Sequence, residues 1–281
     1  MKLFISTDME GVMGVSSWTE MEPGQKGREC SQSVLRELSW VIDELKQSGI
    51  NSQIEEILVC DSHSRGENVP FGLFEDERVK LIKGYPRPFY MMHGLDSSYS
   101  LALLIGYHAK AGSEKGVMDH TYASSCIYNI RINNNTVGEA EVNAYLAGVS
   151  DVPIGLISGD DILEKEMQAF FNPNIPFVRT KEGSGRFAAK MYSPSLIEKE
   201  YRKQVRLMLD SYKNLQCKKL EGKIELEIDM ITSVMTDALA IVPGIERLNG
   251  RTVKYVSDDY RNIYRMIITA AMIGSKFVDY K

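Results

Sequence analysis

Apolar residues fall along this chain in two rhythms. Four short stretches are almost continuously apolar: Leu3-Phe4-Ile5, Ile57-Leu58-Val59-Cys60, Leu101 to Ile105, and Ile154 to Ile157. Each is the length of a strand, and unbroken apolar character suits parallel strands covered on both faces. Between the first two, Val34, Leu35, Leu38, Val41, Ile42 and Leu45 recur at helical spacing. Ser31 or Ser33 is the candidate cap of that helix, and Gly49 lies just past its end. Strand, helix, strand reads as a right-handed βαβ unit. A second helix is predicted from about Glu139 to Leu146, stopping before Gly148. A third begins at Pro194, with Ser193 as its cap and Leu196, Ile197, Val205 and Leu209 on its apolar side. Gly183-Ser184-Gly185 precedes Arg186 and what reads as another short helical stretch, a candidate anion site at a helix start.

The rhythm changes near residue 215. Ile224, Leu226 and Ile228 alternate with charged residues, the pattern of a half-exposed strand. Asn249-Gly250 is a hairpin turn signal with Val253 and Val256 downstream, and a last helix follows from about Asp258 to Ile273, closed by Gly274. The predicted class is α/β: a mainly parallel sheet flanked by helices over residues 1–214, with a smaller α+β portion over 215–281. That portion either completes the sheet or packs as a small second domain. No internal repeat or low-complexity segment breaks the chain.

Composition narrows the function. The chain has 281 residues, 43% hydrophobic and 25% charged, enough to bury a sizeable core in one large domain or two smaller ones. A net charge of -5 argues against a nucleic-acid partner, which calls for a basic patch. No segment reaches the roughly 18 apolar residues of a membrane span, so no membrane partner is expected. Leu3 to Ile5 is too short for the apolar core of a signal peptide. Cys30, Cys60, Cys126 and Cys217 are scattered and form no CxxC pair, which reads as reduced thiols in a cytoplasmic protein.

The informative residues lie just beyond each apolar run. Leu3-Phe4-Ile5 leads to Asp8-Met9-Glu10-Gly11, and Val59-Cys60 leads to Asp61-Ser62-His63-Ser64. Leu104-Ile105 leads to Gly106-Tyr107-His108-Ala109, and Leu156-Ile157 to Ser158-Gly159-Asp160-Asp161. Ligands of open parallel sheets bind outside the carboxyl ends of the strands, so these residues converge if the four strands are neighbours. Asp8 and Glu10 are two apart, on one face of an extended chain. Two adjacent carboxylates both stay ionised at low cost only with a cation between them. Adding the imidazoles of His63 and His108 gives a mixed nitrogen and oxygen set suited to zinc, with manganese or cobalt as alternatives. A carboxylate such as Asp8 could bridge two ions about 3.5–4 Å apart. His120, in the loop after the third run, could act as a base or acid above such a site.

Each residue also has an ordinary reading. Asp8 and Glu10 would commonly be a solvated strand end, Asp61 or Ser62 a turn cap, and a lone strand-end histidine a partner of a backbone carbonyl. His93 lies away from a strand end and reads as structural or surface. Asp160-Asp161 reads as a capping or supporting pair. The coincidence of all these side chains at successive strand ends favours a metal site over the ordinary readings taken one by one.

At these residues the chain resembles the D-aminopeptidase family of zinc peptidases. The shared motifs are Asp-Met-Glu-Gly at 8–11, Asp-Ser-His-Ser at 61–64, Gly-Tyr-His-Ala at 106–109, Gly-Val-Met-x-His at 116–120, Val-Gly-Glu at 137–139 and Ser-Gly-Asp-Asp at 158–161. Their order and spacing agree over about residues 1–195 and more loosely beyond. The resemblance implies two zinc ions per active site, held by Asp8, Glu10, His63, His108 and Glu139, with His120 as nucleophile or equivalent catalytic group. It is what points to Glu139, which by position alone is a carboxylate favoured in the first turn of a helix. It further implies a short peptide substrate with an N-terminal amino acid, expected in the D form, and a ring-like homo-oligomer with a decamer as candidate size. Two positions depart from the family pattern: His93 stands where a carboxylate is expected before Gly-Leu-Asp, and Asp119 where a small residue commonly precedes the histidine. A negative neighbour would favour protonated His120. The same ligand set would serve a metal-dependent amidase or phosphoesterase. A non-catalytic metal-binding scaffold fits less well, since structural zinc sites are usually thiolate-rich.

Overall fold

All four apolar runs become strands, and they become neighbours. The computed structural model describes residues 1–70, 74–172 and 174–280. Its first half contains β1 (Lys2–Thr7), α1 (Gln25–Gln47), β2 (Glu56–Asp61), β3 (Val79–Ile82), β4 (Leu101–Ile105), β5 (Ile127–Ile132) and β6 (Asn135–Thr136). Then come α2 (Glu139–Val149), β7 (Ile154–Asp160), α3 (Asp161–Phe170), β8 (Phe177–Gly185), β9 (Ala188–Met191) and α4 (Pro194–Ser211). The chain ends with β10 (Ile224–Met230), α5 (Ser233–Leu239), β11 (Ile245–Arg247), β12 (Thr252–Ser257) and α6 (Tyr260–Gly274).

Seven strands form one sheet in the order β3-β2-β1-β4-β7-β8-β9, parallel throughout except for the antiparallel β8–β9 hairpin at its edge. Leu3 pairs with Ile57 on one side and Leu101 on the other. The unbroken apolar runs follow from double coverage. Leu3, Ile5, Ile57, Val59, Leu101 and Leu103 pack on one face with Val34, Leu38 and Val41 of α1 and Ile197, Tyr201 and Val205 of α4. Phe4, Leu58, Ala102 and Leu104 join the opposite core, with Ala140 and Ala144 of α2 and Ile263 and Ile267 of α6. Each Val, Leu, Ile or Phe side chain so buried contributes about 1.5–3 kcal/mol, and both faces need it.

The second sheet has the order β11-β12-β10-β5-β6 and is antiparallel. Its alternation is visible in β10, where Ile224, Leu226 and Ile228 are buried and Glu225, Glu227 and Asp229 are not fully so. Arg131 on β5 lies between Glu227 and Asp229, an ion-paired outer face. The strands after residue 215 are completed by β5 and β6 from before α2, so this sheet draws on both sides of the 214/215 boundary. The Asn249-Gly250 turn joins β11 and β12, with Asn249 Oδ1 accepting from the amides of Arg251 and Thr252.

Four details differ from expectation. Helix α1 starts at Gln25 after Gly24, so Ser31 and Ser33 lie inside it. Helix α2 runs through Gly148 instead of stopping before it. The residue is glycine because a Cβ there would sit 1.9 Å from the Lys218 carbonyl oxygen of the segment crossing the helix. The last helix begins at Tyr260, capped by the Asp259 carboxylate on the Arg261 amide. The Gly183-Ser184-Gly185 stretch ends β8 and turns into β9, not into a helix. There is therefore no helix start to hold an anion there.

Candidate metal centre

Because β2, β1, β4 and β7 lie side by side and parallel, their carboxyl ends open on one edge. Asp8 directly follows β1, where its amide donates to the Ile105 carbonyl. The chain then passes so close to the next strand end that a Cβ on Gly11 would lie 1.9 Å from the Tyr107 carbonyl oxygen. His63 follows β2 on a loop shaped by the Asp61 carboxylate, which accepts from the amides of Asn68 and Val69 and from Asn68 Nδ2. His108 follows β4. His120 sits on the next loop, which is tied down at Val117, whose amide donates to Asp160 Oδ2 at 2.7 Å, and at Met118, whose amide donates to the Arg186 carbonyl. Glu139 is the first residue of α2 and enters from the second layer.

These six side chains meet in one place. His63 Nδ1 lies 3.2 Å from Asp8 Oδ1 and 3.0 Å from Glu10 Oε2. His108 Nε2 lies 3.6 Å from Asp8 Oδ2 and 3.4 Å from Glu139 Oε1. His120 Nε2 lies 3.7 Å from Glu139 Oε1 and 3.9 Å from Glu10 Oε1, and its ring stacks on His108 at 4.0 Å and 8°. Asp8, Glu10, His108 and Glu139 are each no more than 4% exposed. Burying three carboxylates together needs compensating positive charge.

The donor set fits a cation. Nδ1 of His108 donates to the Ala109 carbonyl at 3.0 Å and Nδ1 of His120 to the Met118 carbonyl at 2.8 Å. Each bond fixes the tautomer and leaves Nε2 as a lone-pair donor aimed at the carboxylates. Nε2 of His108 is buried without a hydrogen-bond partner. Two groups of three ligand atoms each lie within 4.8 Å of one another: Asp8, Glu10 and His108, and His108, His120 and Glu139.

The electrostatics reflect the crowding. Burial and the neighbouring Glu10 carboxylate raise Asp8 to about 7. Burial works against ionised Glu10 and Glu139, but the surrounding imidazoles hold both below the usual carboxylate range. Burial opposes protonation of His63 and His108, yet the carboxylates overcome it, lifting His63 well above its ordinary value and His108 to about 10. His120 goes the other way, lowered by burial and by the neighbouring His108. Asp119 is not among the main influences on His120, for a geometric reason. The Asp119 carboxylate turns away to Arg186 Nε at 3.1 Å and the Gly112 amide at 2.7 Å.

Other expected residues have different places. Asp160 caps α3 through the amides of Ile162 and Leu163 while holding the Val117 amide, and Asp161 accepts from the Gly183 amide. Ser62 bonds to Ser6 and the Met91 carbonyl beneath the site. His93 is not part of either group of ligand atoms. A cleft of about 280 Å³ above the cluster is walled by Trp18, Tyr90, Tyr122, Ser124 and Ser125, none of which the sequence pattern singles out. Lys181 also escapes notice in the sequence. It is fully buried in β8 and donates to two carbonyls of the loop that carries Asp8 and Glu10.

Known proteins resemble the chain along nearly its whole length. A family model described as D-aminopeptidase matches residues 1–269. The chain is 32% identical over 281 residues to the D-aminopeptidase of Bacillus subtilis (strain 168), covering 98% of each protein. The structure superposes with a TM-score of 0.91, at 29% identity and over 98% of each chain, on Zn-dependent D-aminopeptidase DppA from Bacillus subtilis, a self-compartmentalizing protease. A match of this length in sequence and in fold assigns the family: the chain belongs to the D-aminopeptidase family and is a peptide hydrolase.

Proposed function

We propose that this protein is a zinc-dependent aminopeptidase that removes N-terminal D-amino acids from short peptides at a two-ion site. The observation that carries the reading is the convergence of three carboxylates and three imidazoles at the ends of β1, β2 and β4 and the start of α2. Zinc is favoured by the mixed nitrogen and oxygen donors and by the zinc dependence stated for the superposed relative. In this reading Asp8, Glu10, His63, His108 and Glu139 hold the metal. Asp8 faces His63 through Oδ1 and His108 through Oδ2, which supports counting it among the residues that would hold the metal. Zinc at such a site polarises a carbonyl and lowers the pKa of bound water to about 7.

The chain's own residues supply the rest. His120 keeps its proton on Nδ1, bonded to the Met118 carbonyl, so Nε2 is free to take up a proton or to attack. Burial, and then the neighbouring His108, lower the pKa of His120 and so favour the unprotonated form. Glu10 and Glu139 flank Nε2 and stabilise the imidazolium that forms when it accepts a proton. Trp18, Tyr90 and Tyr122 line the cleft of about 280 Å³ that would receive the peptide. A self-assembled, ring-like homo-oligomer, up to a decamer, belongs to the same reading, prompted by the self-compartmentalizing relative. A cytoplasmic location belongs to it as well, in keeping with four free cysteine thiols.

The deciding experiment is metal analysis of the purified chain, with assays of matched D-alanyl and L-alanyl dipeptides with and without chelator. About two zinc ions per chain and chelator-sensitive cleavage of the D-peptide are expected. Bound metal with no cleavage of either peptide would sink the substrate assignment. Sedimentation of the same sample gives the assembly size, and a monomer would remove the ring.

A further inference from the structure

Between Asp8 and Val15 the chain leaves β1 and turns toward α1 without forming a helix or strand. Such a stretch keeps one shape only if other groups satisfy its backbone. Three fully buried side chains from distant elements do so, and none of them lines the cleft. Lys181 Nζ donates to the Glu10 carbonyl at 2.7 Å and to the Val15 carbonyl at 2.5 Å. Thr180 Oγ1 donates to the Gly11 carbonyl at 2.5 Å. Glu37 Oε1 accepts from the Met13 amide at 2.6 Å. A buried lysine is rare and costs several kcal/mol of desolvation unless its donors are used. Here one ammonium gathers the carbonyls of both ends of the loop.

We infer that Lys181 is a positioning residue of the metal centre: by tying the Glu10 and Val15 carbonyls to one point, it sets the Asp8 and Glu10 carboxylates in place before a cation binds. The inference rests on the reading of Asp8 and Glu10 as metal ligands. Thr180 supports it at Gly11 between the two anchor points, and Glu37 at Met13. A lysine that only filled the core would affect folding stability and leave the affinity of the folded protein for metal unchanged. A lysine that shapes the loop changes that affinity, because an unheld loop must be ordered at the moment of binding. Its positive charge acts in the opposite direction, repelling a cation, so weaker binding on its removal isolates the positioning effect.

The test compares Lys181→Met, which keeps the length and loses the donors, with Thr180→Val and with Ile228→Ala in the second sheet, far from the loop. Zinc affinity of the stripped full-length chain is read by competition with a chromophoric chelator, alongside the thermal midpoint. Lys181→Met is expected to bind zinc at least tenfold more weakly, and Thr180→Val to show a smaller loss. Ile228→Ala is expected to lose thermal stability at unchanged affinity. Wild-type affinity in Lys181→Met, or a loss no larger than that of Ile228→Ala, overturns the inference. If Lys181→Met does not fold, Thr180→Val decides alone, and unchanged affinity overturns it. Should the wild-type chain bind no zinc, the metal reading has failed and amide exchange of the metal-free chain tests the clamp. Faster exchange at Gly11 and Met13 in Thr180→Val than in Ile228→Ala supports it, and equal exchange refutes it.

Discussion

Asp119 and His120 are adjacent in sequence, yet their charges work on different partners. Arg186 takes the Asp119 carboxylate, and His120 is left to burial, His108 and the two flanking glutamates. In the proposed reading His120 acts apart from the residues that would hold the metal. His120→Ala is expected to keep its metal content and lose roughly 100- to 10,000-fold in turnover, the usual range for an acid–base group. Equal loss of metal and activity would make His120 a ligand instead. Glu37 gives a pH-dependent prediction. Burial pushes its carboxyl to about 7, against hydrogen bonds from Tyr201 and the Met13 amide that favour the charged form. The unfolded chain releases this proton near 4.5 and the folded chain retains it to about 7. Stability from this group is therefore full below pH 4.5 and declines as pH rises to 7, by roughly 3 kcal/mol in all. Glu37→Gln, which keeps the acceptor for the Met13 amide and turns an NH2 donor toward Tyr201, is expected to flatten that decline in urea melts at pH 5 and pH 8. An unchanged slope would show that Glu37 is ionised throughout.

Among the elements, those predicted from a single strong rhythm are the ones that formed as expected. The four apolar runs are β1, β2, β4 and β7, and Ile224, Leu226 and Ile228 mark β10. Weakly patterned elements were not legible. Strand β3 is half-exposed throughout, and β9 carries little apolar pattern, because each is the edge of a sheet and buries little. Strand β5 alternates only in part, with buried Ile127, Ile130 and Ile132 unevenly spaced beside a bulge in its pairing with β10. Gly148 misled for a physical reason: glycine ends many helices, but here it admits a crossing backbone. Gly148→Ala would ordinarily gain about 1 kcal/mol of helix propensity. Forced against the Lys218 carbonyl, it is expected to lose about 1–3 kcal/mol instead, measured by urea unfolding. A gain in stability would mean that the 218 segment moves aside freely.

For the molecule as a whole, the site exists because two layers are pressed together. Strands β1, β2 and β4 supply Asp8, Glu10, His63 and His108 from one sheet, while Glu139 arrives on α2, which packs against α6. A metal that bridges these contributions stabilises the folded state alone and should raise its stability. At a concentration a hundred times the dissociation constant the gain is about 2.7 kcal/mol, or about 5 °C for a chain of this length. Chelator treatment is accordingly expected to lower the thermal midpoint by that amount, and zinc to restore it. A midpoint insensitive to chelator would argue that no metal joins the two layers.

Local pattern was enough for the parallel core and for the strand-end residues Asp8, Glu10, His63 and His108, because burial on both faces forces continuous apolar runs and parallel strands present their carboxyl ends together. The place of Glu139 in the cluster was not legible from position, since a carboxylate in a first helical turn is favoured with or without a metal. Strand order, the completion of the second sheet by β5 and β6, and the turn of Asp119 toward Arg186 were decided only in three dimensions. The same holds for the burial of Lys181 beneath the ligand loop. Each of these depends on contacts between residues far apart in the chain, and no local rhythm encodes which distant partner a side chain will meet.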